Sequence, residues 1–140
     1  MKKKFIKKSL KNILKGKTLL ITGGTGSFGT FFVKKLLDLE VLKKIIIFSR
    51  DELKQYELKD KLRDKSSVMR FFIGDIRDKE RLLFATKDVD FIVHAAALKQ
   101  VPAAEYNPFE CIKTNVLGAQ NIVDVAIENK VKKVVALSTD

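Results

Sequence analysis

The chain has 140 residues, 46% of them hydrophobic, and a formal net charge of +11. That length builds one domain and excludes two. The single cysteine, Cys111, excludes an internal disulfide and reads as a packed small hydrophobe; with one histidine and no spaced Cys/His cluster, no metal centre is expected.

The charge is local. Residues 1–17 hold Lys2, Lys3, Lys4, Lys7, Lys8, Lys11, Lys15 and Lys17 and no acid; taking those eight from +11 leaves +3 for the rest. Lysines interrupt every short apolar pair, which rules out the h-region of a signal peptide. No run approaches the ~20 apolar residues of a membrane span. Phe5, Ile6, Leu10, Ile13 and Leu14 fit one side of an amphipathic helix. Such a helix either leads, solvated, into the first strand or touches an anionic membrane surface or nucleic acid. The solvated helix is the expectation, and no nucleic-acid partner is expected, because aromatic residues for base stacking are lacking beyond Phe5. A disulfide-free chain of this kind fits the cytoplasm.

From residue 18 strands and helices alternate, with no repeat or linker. Thr18–Thr22 is the first strand. It runs into Gly23-Gly24-Thr25-Gly26-Ser27-Phe28-Gly29, and an apolar helix, Thr30–Leu39, follows. Ile45–Phe48 is wholly apolar, as a central parallel strand should be. A polar helix covers Glu52–Leu62. Met69–Ile73 is a third strand, Lys79–Thr86 a short helix, Phe91–His94 a fourth strand. A long helix spans about Pro108–Asn129, and Val134–Leu137 is the fifth strand. This pattern predicts an α/β domain over residues 18–140 behind a basic arm, 1–17. Its fold is a doubly wound parallel sheet of the Rossmann kind, cut off after the fifth strand.

In such sheets ligands sit outside the carboxyl ends of the strands. A glycine-rich turn between a strand and a helix is the dinucleotide fingerprint in its required context. One glycine makes the turn, one lets the backbone approach a pyrophosphate, and one lets helix and strand pack; the helix N-terminus offers free N–H groups to phosphate. Gly23, Thr25, Gly26, Ser27, Phe28 and Gly29 are therefore cofactor candidates. The second strand ends in Ser49-Arg50 where an NAD site usually has an acid. A guanidinium can grip a ribose 2′-phosphate, with Ser49 and Lys54 beside it, so NADP is expected over NAD. Asp51 and Glu52 argue the other way, since either could serve a 2′-hydroxyl. Asp75, with Ile76, follows the third strand, where it could accept from an adenine amino group or simply shape a turn. Ala95, Ala96 and Ala97 close the fourth strand. Ser138, Thr139 and Asp140 close the fifth.

The chain resembles the extended short-chain dehydrogenase/reductases. Three further runs sharpen the likeness: Phe48-Ser49-Arg50-Asp51-Glu52-Leu53-Lys54-Gln55, His94 to Pro102, and Glu105-Tyr106-Asn107-Pro108 with Lys113-Thr114-Asn115-Val116. Together they are similar to the inverting UDP-N-acetylglucosamine 4,6-dehydratases of the polysaccharide-biosynthesis family, in register over nearly all of residues 16–140. The resemblance implies a UDP-sugar substrate, a homo-oligomer at full length and tightly held NADP. A hydride leaves C4 and returns to C6, a base removes the C5 proton, and an acid helps water leave C6. It implies Asp140 as that acid, Thr139 as a hydrogen-bonding residue near C4, and Ser138 and Asn115 among the cofactor contacts. Lys99, after the Ala-rich turn, faces cofactor or sugar, or is a solvated loop lysine.

The family continues with a lysine and a Tyr-x-x-x-Lys pair beyond this point. Tyr56 with Lys59 and Tyr106 with Glu110 have neither the right spacing nor the right element. The expectation is an N-terminal fragment, inactive alone, ending on an exposed edge strand. Two alternatives stand beside it: a non-catalytic dinucleotide-binding remnant, and a fragment of a UDP-sugar 4-epimerase or reductase.

Overall fold

The computed structural model describes residues 2–137, and within them the side chains of 8–63 and 67–137. Ser138, Thr139 and Asp140 lie outside the described residues.

The elements run α1 (Lys2–Leu14), β1 (Thr18–Thr22), α2 (Ser27–Leu37), β2 (Lys44–Ser49), α3 (Glu52–Lys61), a 3₁₀ turn (Arg63–Val68), β3 (Met69–Ile73), α4 (Lys79–Ala85), β4 (Phe91–His94), α5 (Val101–Tyr106), α6 (Pro108–Cys111), a π-helical turn (Ile112–Leu117), α7 (Gly118–Glu128) and β5 (Lys133–Ala136). Five parallel strands form one sheet in the order β3-β2-β1-β4-β5. The chain walks outward from β1 to β3, then crosses back to β4, so a topological switch falls between β1 and β4. No described helix is long and apolar enough to cross a membrane.

Strand side chains alternate between faces, and here both faces are covered. Leu19, Ile21, Ile45, Ile47 and Val93 meet Val33, Leu36 and Leu37 of α2 and Leu58 of α3 on one side. Leu20, Ile46, Phe48 and Ile92 meet Leu82 of α4 and Ile122 and Val125 of α7 on the other. Nearly all of these are under 5% exposed, and each fully buried aliphatic side chain stabilises by about 1.5–3 kcal/mol. This two-sided burial explains why β1 and β2 read as unbroken apolar runs.

The expected strands are all present, with β1, β3 and β4 at the expected bounds. The helices differ in three places. α2 starts at Ser27, not Thr30, because the chain turns helical directly after extended Gly26; Leu39 stays buried in the loop beyond the helix. The segment expected as one helix from Pro108 is interrupted by the π turn. A helix not expected, α5, forms with Pro102 in its first turn, where proline's fixed φ suits a helix start. β5 lies at the edge of the described sheet, with Val135 48% exposed.

Gly29 packs against the turn it follows. A Cβ there would stand 2.6 Å from the carbonyl oxygen of Gly23, against backbone that cannot yield. Gly29→Ala is expected to cost about 1–3 kcal/mol, as overpacking does, and to lower the thermal midpoint by several degrees. Melts of the two proteins side by side check this.

At the other end of the switch, His94 is 9% exposed and its Nδ1 lies 2.7 Å from Thr22 Oγ1. That hydroxyl also accepts from the amides of Ala95 and Ala96, at 3.2 and 3.3 Å. With both lone pairs taken, it donates its proton to Nδ1, which makes His94 the neutral Nε2–H tautomer. Burial lowers the histidine's pKa from its ordinary 6.5. The unfolded chain therefore takes up a proton that the folded chain refuses. Stability from this group is complete above about pH 6.5 and falls as pH drops below it toward the folded value. Unfolding midpoints across pH 5–7.5 should show that decline, and His94→Asn should flatten it.

Candidate functional site

The carboxyl ends of β1, β2, β3 and β4 open into one cleft of about 590 Å³. β1 delivers the glycine loop. Gly23 has φ +66°, and a Cβ on it would stand 2.9 Å from the amide nitrogen of Ala96 and 3.0 Å from the carbonyl oxygen of Ala95. Only glycine meets both demands, so here the loops after β1 and β4 touch backbone to backbone. Gly26 then caps α2 without any side-chain hydrogen bond. By contrast, Asp51 caps α3 by accepting from the Lys54 amide, and Asp78 caps α4. The first amides of α2 are left to a ligand at the positive end of the helix dipole, beside Thr25, Ser27 and Phe28 in the cleft wall.

β2 delivers Ser49, Arg50 and, one turn on, Lys54. Ser49 is held by Gln55, an ordinary polar residue by its place in the sequence. The buried Gln55 amide donates to Ser49 Oγ at 2.9 Å, to the Ser49 carbonyl at 3.2 Å and to the Phe72 carbonyl at 2.9 Å. With Gln55 donating to it, the Ser49 hydroxyl keeps its own proton for the cleft. Arg50 is exposed, its Nη1 3.7 Å from Asp75 Oδ2. Asp51 is engaged at the helix cap and with Lys54 Nζ at 3.5 Å. The Lys54 amide first, and the lysine's charge with it, hold its pKa below the ordinary carboxylate value.

β3 delivers Asp75 and Ile76. Asp75 has the turn role: Oδ1 accepts from the Arg77 amide at 3.0 Å, and Oδ2 from Arg77 Nε and Nη2 at 2.9 and 2.7 Å. Partial burial opposes its ionisation, but Arg77 and then Arg50 more than offset that and lower its pKa. A carboxylate has about four acceptor sites, so room for a further donor remains. Arg77 also reaches Glu110 at 2.6 Å, and Lys113 meets Glu110 at 2.9 Å, tying the exit of β3 to α6 and the turn after it.

β4 delivers Ala95, Ala96 and Ala97, with Lys99 exposed on the rim. Asn115 is absent from the cleft lining. Its amide clasps Leu98 in both directions, accepting from the Leu98 N–H at 2.8 Å and donating to its carbonyl at 2.9 Å, so it holds the loop that carries Lys99. Its neighbour Thr114 does line the cleft. Thr114 is 5% exposed, and its Oγ1 has no hydrogen-bond partner. An orphan hydroxyl buried in a ligand cleft is a missing-partner signal that only the fold reveals. It sits on the π turn, a distortion frequent at functional sites.

The cleft thus gathers every expected cofactor residue in the described part of the chain except Asn115. It also adds Thr114, with Gln55 behind it. The open helix end, the close approach at Gly23 and the orphan hydroxyl fit an extended phosphate-bearing ligand. No cluster of three or more metal-ligating side chains occurs among the described residues.

Known proteins bear on this geometry. A family model described as polysaccharide biosynthesis protein matches residues 19–140. An inverting UDP-N-acetylglucosamine 4,6-dehydratase of Campylobacter jejuni strain 81-176 is 62% identical over 125 residues, 89% of this chain and 37% of that protein. A UDP-glucose 4-epimerase of Rickettsia prowazekii is 50% identical over 127 residues, again 37% of its length. The crystal structure of Pen from Bacillus thuringiensis superposes with a TM-score of 0.84 at 44% identity, covering 88% of this chain and 37% of that one. The dTDP-glucose 4,6-dehydratase DesIV of Streptomyces venezuelae, solved with NAD bound, superposes at 0.73 with 29% identity, covering 84% and 38%. The chain therefore spans little more than a third of the relatives it matches. With the match running from the first strand to the last residue, the chain belongs to the polysaccharide biosynthesis protein family.

Proposed function

We propose that this chain contributes the dinucleotide-binding unit of an NADP-dependent nucleotide-sugar 4,6-dehydratase, a hydro-lyase acting on UDP-N-acetylglucosamine with inversion at C5. The observation that carries the reading is the cleft itself. An uncapped helix end opens beside Ser49, Arg50 and Lys54, while Asp51 and Asp75, the two carboxylates in the cleft wall, each have partners within the protein. A dinucleotide bound there supplies a hydride acceptor that later returns the hydride to the same sugar. The α2 amides and the Gly23 turn bind the pyrophosphate. Arg50, Lys54 and the Ser49 hydroxyl take the 2′-phosphate, Arg50 being lightly held at 3.7 Å and free to swing. Asp51 has one oxygen on the α3 cap and the other beside Lys54 Nζ, so its charge is met within the protein, which favours NADP. Asp75 and Ile76 flank the adenine, and Ala95, Ala96 and Ala97 line the path toward the sugar. Thr114 offers its unpaired hydroxyl to the ribose on the far side. Lys99, carried on the loop clasped by Asn115, meets the negative charge of cofactor or substrate. Thr139 and Asp140 hold the reacting sugar, Asp140 as the acid at C6, and Ser138 meets the cofactor.

The 62% identity to a dehydratase, against 50% to the epimerase, supports putting the dehydratase first. A 4-epimerase remains the second reading on the strength of those relatives. The single cysteine and the nucleotide ligands suit a cytoplasmic setting. The expected pairing with further copies has support in Tyr106 and Phe109, 88% and 74% exposed.

Titration of the chain with NADPH and NADH, followed by nicotinamide fluorescence, tests the cofactor. NADPH is expected to bind more tightly, and Arg50→Ala should erase at least about tenfold of that preference, the worth of a lost charge-assisted pair. An unchanged NADPH-to-NADH ratio in the variant overturns the assignment. Thr114→Val separates site from scaffold. Removing an unsatisfied buried hydroxyl should leave thermal stability equal or slightly higher. NADPH affinity should nonetheless fall several-fold.

A further inference from the structure

In a parallel sheet every strand begins on the same edge. Here that edge is basic. β2 and β5 open on Lys44 and Lys133, and Lys17, Lys43 and Lys132 stand just ahead of strands. Asp90 neutralises part of it, at 3.8 Å from Lys17 and 2.8 Å from Lys132. Lys43, Lys44 and Lys133 have no carboxylate partner among the described residues.

α1 joins this edge. Leu14 is 5% exposed and packs into the core with α2, four residues before β1 begins. α1 contains no acid. Lys8 and Lys11, spaced i, i+3, lie on one side of it and Lys15 follows in the turn that leads to β1; none of the three is paired with a carboxylate among the described residues. Leu10 and Ile13 make an apolar stripe, 39% and 54% exposed. The candidate cofactor cleft lies at the opposite edge, one strand length away, about 17 Å for five residues.

We propose that α1 and the basic edge of the sheet dock the protein on an anionic lipid surface, leaving the cleft open to solvent. Grouped lysines complement diffuse headgroup charge, and Leu10 and Ile13 supply the apolar insertion that an interfacial helix uses. A nucleic-acid partner fits less well. The first 17 residues contain no arginine for base edges and one aromatic residue, Phe5, for stacking.

The test is co-sedimentation of the full chain with phosphatidylcholine vesicles, with and without phosphatidylglycerol, over a salt series. Binding is expected only to the phosphatidylglycerol vesicles and should weaken as salt rises. The triple variant Lys8→Gln, Lys11→Gln, Lys15→Gln should lose roughly fivefold in partitioning per lysine removed. Leu10→Ser with Ile13→Ser should lose about tenfold at unchanged NADPH binding, which shows that the domain is intact. Equal binding to neutral vesicles, insensitivity to salt, or full binding by the apolar double variant overturns the proposal. So does tighter binding to poly(U) RNA than to the anionic vesicles.

Discussion

One buried hydroxyl organises the centre of the molecule. Thr22 ends β1, between β2 and β4, and its Oγ1 takes two amides from the loop after β4 while giving its proton to His94. A hydroxyl used to capacity fixes direction as well as distance. It presses the loop after β4 against Gly23, where no side chain fits. The two loops that face each other across the topological switch are therefore one unit, and the cleft is shaped before any ligand arrives. Apolar packing on the two sheet faces holds the strands in place, but it does not set the relation between these two loops.

The acids near the cleft illustrate a second constraint. Three cationic side chains and two carboxylates line it. Both carboxylates already have internal partners, Asp51 at the cap of α3 and Asp75 in its turn with Arg77. What remains available is cationic or hydroxylic, next to helix amides with no partner among the described residues, apart from the spare acceptor site on Asp75. The same sheet thus presents anion-receptive chemistry on both edges, by different means. One edge uses oriented amides and a few placed groups. The other uses a group of lysines, several of them without a carboxylate partner among the described residues.

Most of this was legible in the sequence because it is written in local patterns. Continuous apolar runs mark strands buried on both faces, and glycine placed between a strand and a helix marks a phosphate turn. The bounds of β1, β3 and β4 follow from that alone. What was not legible depends on partners distant in sequence. Gln55 looks like an ordinary polar residue on a polar helix until Phe72 arrives beside it. Asn115 sits within a motif that suggested cofactor contact, yet its clasp on Leu98 spans 17 residues. Thr114 is informative only because its hydroxyl lacks a partner, which no pattern of residue types records. The early start of α2 reflects glycine at the cap, where propensity argues for a later start.

The π turn stores site geometry as chain length rather than as side-chain identity. A π turn is in effect one residue more than an α-helix needs. α7 beyond it keeps its own buried positions, Gly118, Ile122, Val125 and Ala126. Shortening Ile112–Leu117 by one residue could thus leave the scaffold in phase while rotating Thr114 and Asn115 by about 100° relative to it. The aim of the far cleft wall is in this sense an inserted residue. Related chains could gain or lose that wall by a single insertion or deletion, with every side chain in the core unchanged.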